Sequence, residues 1–253
     1  MDRLIYTANS TLTEQSVARQ VIMNELANVS TVGFKRSFEV AMTAIKAEGD
    51  GFDTRFQPVA VSRDLIRMNA GPVMTTGNPG DVALLGGAVL TVLASNGDMA
   101  FTRRGDLSVD QKGQLVNGAG HVVLGEAGPI SVPANQRFYI TPDGSVYAQN
   151  TNPSVNEATT LIGKLRLRDA ENVELDRRPD GLFAVHKQPP GTDIPAPTRL
   201  LSVIPKALEG SNVNSVEALT KLLDHARSFE SQVRVMKDMK SLDESGSSMM
   251  KLA

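Results

Sequence analysis

Cysteine is absent from the 253 residues, which excludes a disulfide scaffold, a thiolate metal site and a cysteine nucleophile. Tryptophan is absent as well, and 3 Tyr and 8 Phe are few for an aromatic-lined ligand pocket. Charge of one sign is also missing: 26 Lys and Arg stand against 28 Asp and Glu, a net of −2. A nucleic-acid binder usually carries a basic excess, so none is expected as a partner. Long hydrophobic runs are lacking too. The most apolar stretch, Val82 to Ala94, is broken by Gly86, Gly87 and Thr91, whereas a spanning helix needs about 20 apolar residues. The start, Met1 to Thr7, has no basic region leading into an apolar stretch, so a cleavable export signal is not expected.

What is there falls into three regimes. From residue 3 to 29 neither Gly nor Pro occurs, and Ile5, Ala8, Leu12, Gln15, Arg19, Ile22, Leu26 and Val29 step by three and four. That is a heptad seam with a polar defect at Gln15 and Arg19, closed by Gly33. From Gly33 to about Pro205 the texture is short strand-like runs between turn signals: Asn96-Gly97, Lys112-Gly113, Asn117-Gly118, Asp143-Gly144 and Asp180-Gly181. The runs are Val89–Leu93, Ala100–Thr102, Leu107–Val109, Gln114–Val116, Val122–Leu124, Phe138–Thr141, Val146–Ala148, Lys164–Leu167 and Leu182–Val185. Five prolines between Pro189 and Pro205 read as an extended strap. From Val213 to about Leu242 a second Gly- and Pro-free run carries Val216, Leu219, Leu222, Leu223, Ala226, Phe229, Val233, Met236 and Met239. Asn212 or Asn214 is its cap, with Glu217 as capping-box partner of Asn214. The Ser245–Ser248 tail is expected to fray.

The expected fold class is α+β: discontinuous N- and C-terminal helices pairing as a coiled coil, with an inserted, mainly antiparallel β module. The divisions are 1–35 for the first helix, 36–75 for an irregular connector, 76–205 for the β module and 206–253 for the second helix. Neither helix is expected to be stable without a packing partner.

No catalytic constellation emerges. His121, His186 and His225 are scattered without ligand spacing, and Asp106, Asp110 and Glu126 read as turn carboxylates. Arg104-Gly105-Asp106 spells an adhesion tripeptide, but Gly105 is the natural turn between two strands. Arg103 and Arg104 are expected to face carboxylates of a neighbouring subunit. No cofactor or metal is called for.

The flanks of the helices carry a more specific pattern. Glu25 to Lys35 matches an Asn-Leu-Ala-Asn-x-x-Thr-x-Gly-Phe-Lys helix end with Glu25 at the first position; Glu209, Ser211, Asn212 and Val213 match Glu-x-Ser-Asn-Val; Arg227, Phe229 and Glu230 match Arg-x-Phe/Tyr-Glu. Between them stand Thr76 to Leu84, Phe101 to Gly105 and Gly113 to Val116. In these motifs, in this order, the chain resembles the axial proteins of the bacterial flagellum, the rod and hook group. The Met-Asp start and Gly125 to Ile130 place it nearest the proximal rod members. Gly80, Arg104 and Gly87-Ala88-Val89 depart from the usual pattern.

The resemblance implies a structural subunit of the basal-body rod in the periplasm, a drive shaft that transmits torque and has no enzymatic activity. It implies as partners copies of itself, the other proximal rod subunits and the distal rod protein, and passage through the flagellar type III export apparatus. The assembly interface it points to comprises Ile5, Ala8, Leu12, Ile22, Leu26, Asn28, Thr31, Gly33 and Phe34. On the C-terminal side it comprises Glu209, Ser211, Asn212, Val213, Leu219, Leu223, Ala226, Arg227, Phe229, Glu230 and Val233. The alternatives are a distal rod or hook protein of the same group and a β-module cell-wall enzyme with oligomerising helices.

Overall fold

The computed structural model describes residues 2–37, 41–46, 56–61, 65–150 and 159–251. The Gly- and Pro-free runs form helices α1 (Asp2–Ala27) and α2 (Ser215–Lys251). Between them lie β1 (Ala41–Lys46), β2 (Phe56–Val61), β3 (Val73–Thr75), β4 (Val82–Leu84), β5 (Ala88–Leu93) and β6 (Met99–Thr102). There follow β7 (Leu107–Val109), β8 (Leu115–Asn117), β9 (Val122–Gly125), β10 (Gly128–Pro129), β11 (Gln136–Ile140) and β12 (Ser145–Asn150). The last strands are β13 (Thr160–Lys164), β14 (Leu167–Asp169), β15 (Leu175–Arg177), β16 (Phe183–Val185), β17 (Val203–Pro205) and β18 (Ala207–Glu209). The class is α+β, with two helices and antiparallel sheets among the described residues.

The chain divides into two compact units. The helical unit takes Met1–Ala27, Glu39–Arg63 and Asn214–Ala253, and so contains α1, α2 and the β1–β2 hairpin. The β unit takes Asn28–Phe38 and Asp64–Val213. The region 36–75 read as an irregular connector therefore holds β1, β2 and β3, with Ala41–Lys46 and Phe56–Val61 pairing with each other. Likewise 206–214 is not helical: β18 and a loop precede α2, and Asn214 rather than Asn212 caps it, its Oδ1 accepting from the amides of Val216 at 3.0 Å and Glu217 at 3.2 Å. At the other end α2 runs through Ser245 to Lys251 instead of fraying, with Ser245 Oγ donating to the Ser241 carbonyl.

Within the β unit a nine-stranded sheet runs β15-β16-β6-β5-β9-β8-β7, with β14 added to β5 and β10 to β9. β5 is its centre. Leu90 and Val92 enter one apolar core with Leu115, Val123 and Leu165, while Val89 enters a second with Phe101, Leu175 and Phe183. Burial on both faces explains why Ala88–Leu93 is almost continuously apolar. Two smaller ladders tie the end of the unit to its start: β17 pairs β4, and β18 pairs β3. The Pro-rich strap thus ends in strands. The expected Lys164–Leu167 strand is instead a break between β13 and β14, where Leu165 turns into the core and the Arg166 amide donates to Leu124 O.

β11, β12 and β13 form a separate three-stranded sheet. The β11–β12 turn carries Asp143, whose carboxylate accepts from Ser145 Oγ at 2.6 Å and Thr141 Oγ1 at 2.5 Å. Those bonds, Ser145 foremost, lower its pKa from 3.8 to about 2. A depressed carboxylate stabilises the fold above its unfolded pKa, and that contribution drains away as pH falls from about 4 to about 2. Replacing Asp143 with Asn is expected to flatten the acid-induced loss of protection in this hairpin, read by amide exchange across that window.

Candidate assembly site

The sequence-derived residues fall into two groups, one locked inside the β unit and one displayed on helices. The locked group is built around Glu209. Its Oε1 accepts from Lys35 Nζ at 2.6 Å and from the Gly71 amide at 2.9 Å, and its Oε2 accepts from Arg103 Nε at 2.6 Å. The side chains of Lys35 and Arg103 are 0% exposed and that of Glu209 is 1%. The rest of the Arg103 guanidinium donates to the carbonyls of Leu84, Gly86 and Ala88, and Lys35 Nζ also donates to the Asn69 carbonyl. Burial first, and the adjacent Arg103 charge second, push the Lys35 ammonium below the usual lysine range; the Glu209 bond offsets part of that.

This arrangement overturns one expectation. Arg103 does not face a neighbouring subunit, because its guanidinium is spent within its own chain. Arg104 pairs with Asp106 at 2.8 Å, and Gly105 between them is required because a Cβ there would lie 1.9 Å from the Val82 carbonyl oxygen. The adhesion tripeptide is a close crossing against β4, with no turn formed at Gly105, contrary to the turn expected there.

The flanking motif residues close the same knot. The Gly33 amide donates to Glu209 O at 2.8 Å, the Asn212 amide to Phe34 O at 3.3 Å, and the Arg36 amide to Asn212 Oδ1 at 2.6 Å. Gly33 has φ 68°, and a Cβ there would lie 2.5 Å from the Arg103 backbone, so glycine alone fits. Phe34 is buried beneath the Arg177 guanidinium, 4.2 Å from the ring centroid, and Arg177 also donates to Lys35 O. Thr31 Oγ1 donates to Asn28 Oδ1 at 3.1 Å, holding the turn after α1. Ser211 and Val213 are buried, the Ser211 hydroxyl accepting from the Val213 amide. Asn28, Thr31, Gly33, Phe34, Glu209, Ser211, Asn212 and Val213 are thus brought together by the β unit. Lys35 and Arg103 were missed as members; the signal was present in Phe101 to Gly105, where a charge directly follows the buried run Ala100-Phe101-Thr102.

The displayed group lies on α1 and α2. Ile5 and Ala8 are in α1, and their side chains fall outside the described residues. Ile22 is buried, with Leu12 and Leu26 half-buried, but Arg19 is exposed and Ala18 takes its place on the inner face. Gln15 Nε2 donates to Ser228 Oγ at 2.9 Å, so the polar defect of the seam meets α2. On α2 the inner face is Ala218, Leu222, His225, Ser228, Gln232 and Val233. Val216 (70% exposed), Leu219, Leu223 (60% exposed) and Ala226 form an outer apolar face, with Arg227, Phe229 and Glu230 also exposed. The helix therefore carries two apolar stripes where one was read.

The titratable groups considered from the sequence do not converge. Asp106 binds Arg104, the Asp110 carboxylate accepts from the amides of Lys112 and Gln114, and Glu126 stands 3.5 Å from Arg168. His186 Nδ1, just past β16, lies 2.8 Å from Asp176 on the neighbouring strand β15.

Two family models match. Residues 83–148 match the flagellar hook protein FlgE/F/G D1 domain, and residues 204–249 match the flagellar basal body rod FlgEFG protein C-terminal region. The chain is 37% identical over 240 residues to the flagellar basal-body rod protein FlgF of Escherichia coli (strain K12), covering 93% of each. It is 36% identical over 238 residues to FlgF of Salmonella typhimurium, again covering 93% of each. To the flagellar basal-body rod protein FlgG of Buchnera aphidicola subsp. Acyrthosiphon pisum it is 30% identical over 249 residues, covering 89% of this chain and 91% of that one.

Proposed function

This chain belongs to the flagellar basal-body rod proteins of the FlgE/FlgF/FlgG family, and we propose that it builds the proximal, FlgF-type segment of the rod. It is a structural subunit of the flagellar basal body rather than an enzyme. The observation that carries the proximal assignment is the identity of 37% and 36% to two FlgF proteins, each matched over 93% of both chains. In this reading the rod lies in the periplasm, the subunit reaches it through the flagellar type III export apparatus, and its neighbours are copies of itself and the other rod proteins. A rod passes torque along its length, which calls for stiffness at every joint.

The helices supply the joints. α1 and α2 pair as an antiparallel coiled coil in this proposal, supported by the Gln15–Ser228 bond and by the meeting of residues 33–36 with 209–212, where α1 has just ended and α2 is about to begin. The outer stripe of Val216, Leu219 and Leu223 then faces the next subunit. Head-to-tail contacts of that kind repeat without closing, as a filament requires.

Deleting the gene is expected to give cells that do not swim and whose basal bodies, imaged by electron microscopy, stop short of a complete rod. Supplying the chain from a plasmid restores both. Complete rods in the deletion strain would exclude the role.

A further inference from the structure

We propose that the Lys35–Glu209–Arg103 cluster is a clasp that makes pairing of α1 with α2 conditional on completion of the β unit. The inference rests on the helix pairing stated above and adds what controls it.

α1 and α2 are far apart in sequence, Ala27 and Ser215 marking their facing ends. Joining them directly from an open chain carries the closure entropy of everything between, which grows with the logarithm of loop length. Amphipathic helices of this kind gain most of their stability from packing, so neither waits preformed for the other. The clasp shortens that path. Once Lys35 and Arg103 hold the two oxygens of Glu209, residues 33–36 and 209–212 are stitched together, and only a few residues separate that stitch from either helix. The effective concentration of one helix for the other rises to that of a short tether.

Closure is also all-or-none. Removing one partner of a buried ion cluster leaves an uncompensated charge, which is strongly unfavourable. Arg103 is held in place by the carbonyls of Leu84, Gly86 and Ala88, which adopt this geometry only when β4 and β5 are in place. Glu209 reaches it from β18, itself laid down on β3, and Gly33 reaches the Arg103 backbone only because it has no Cβ. Each arm of the clasp thus reports on a different part of the β unit.

The absence of cysteine allows a direct test in the full-length protein. Gln15→Cys and Ser228→Cys place a thiol on each helix at the observed contact. The rate of intramolecular cross-linking by a short bismaleimide is measured together with amide-exchange protection of β5. Lys35→Met removes the α1-side arm while leaving the Arg103–Glu209 pair intact. It is expected to slow cross-linking by about tenfold or more, the scale of a lost short tether, with β5 protection retained. If Lys35→Met loses β5 protection, Lys35→Gln, whose neutral amide ends one bond short of the ammonium position and so breaks the arm without leaving hydrocarbon against Glu209, is read by the same criterion. Unchanged cross-linking with β5 protected overturns the clasp but not the pairing. Loss of β5 protection in both variants also overturns it, since the cluster would then belong to the core alone. Failure of the parent Cys pair to cross-link brings down the pairing and the clasp together.

Discussion

Arg103→Met is expected to lower the stability of the β unit by about 3–5 kcal/mol, the cost of breaking a buried ion pair. Against a typical domain stability of about 5–15 kcal/mol, that is enough to bring unfolding within reach of ordinary growth temperatures. Two losses combine. Glu209 keeps only the Lys35 ammonium and the Gly71 amide, and its second oxygen is left buried without a partner. The carbonyls of Leu84, Gly86 and Ala88 lose the guanidinium that satisfied them. The adjacent Arg104 serves as the control: its pair with Asp106 is about one-third exposed, and Arg104→Met is expected to cost no more than about 1 kcal/mol. Urea unfolding followed by near-ultraviolet circular dichroism separates the two. Equal midpoints for both variants would mean that Glu209 is neutralised some other way.

Leu223→Asp is expected to abolish swimming while leaving the isolated subunit intact. Leu223 is 60% exposed on the outer face of α2, between Leu219 and Ala226 at helical spacing. A carboxylate there meets water in the free subunit, so its unfolding free energy should move by no more than about 0.5 kcal/mol. In the proposed rod contact the same carboxylate would be buried without a partner, at a cost of several kcal/mol per copy, repeated along the filament. The measurements are soft-agar motility in the deletion strain and urea unfolding of the purified chain. A Leu223→Asp strain that swims like its parent would remove the outer stripe from the assembly contact. Ile22→Asp provides the contrast, because Ile22 is buried within the subunit itself and both readouts should fail.

Local signals in this chain were readable where a single residue type decides the backbone. Gly97, Gly113, Gly144 and Gly181 all adopt the positive φ that their Asn-Gly, Lys-Gly and Asp-Gly dipeptides suggested. Gly118 is different: Gly120, two residues on, takes the positive φ, and Gly118 packs against the Asp106 and Arg104 side chains. That contact is tertiary and leaves no local trace. The same holds for β3, β4, β17 and β18, three-residue strands that exist only because residues 203–209 return to residues 73–84. Proline density at the strap pointed away from a strand, yet Pro205 ends one, paired with Val82. The assembly residues divide on the same line. Glu25 to Lys35 and Glu209 to Val213 announced a shared structure through their motifs, but nothing in them said that Lys35 and Glu209 face one another. On α2 the three- and four-residue steps revealed a helix with apolar faces; only the structure separates the face that holds Ser228 against Gln15 from the one that holds Leu223 outward.

The acceptors around the buried cluster are mostly backbone carbonyls: Leu84, Gly86 and Ala88 on the Arg103 side and Asn69 on the Lys35 side. Carbonyls carry no titrating proton, and a fully enclosed pair is barely screened by dissolved ions. The grip at the helix junctions is therefore indifferent to ionic strength. Surface pairs such as Arg199–Asp169, half-open to solvent, weaken as salt rises. A cell swimming from fresh into brackish water changes the outside of each subunit electrostatically while the anchor of its helices stays as it was.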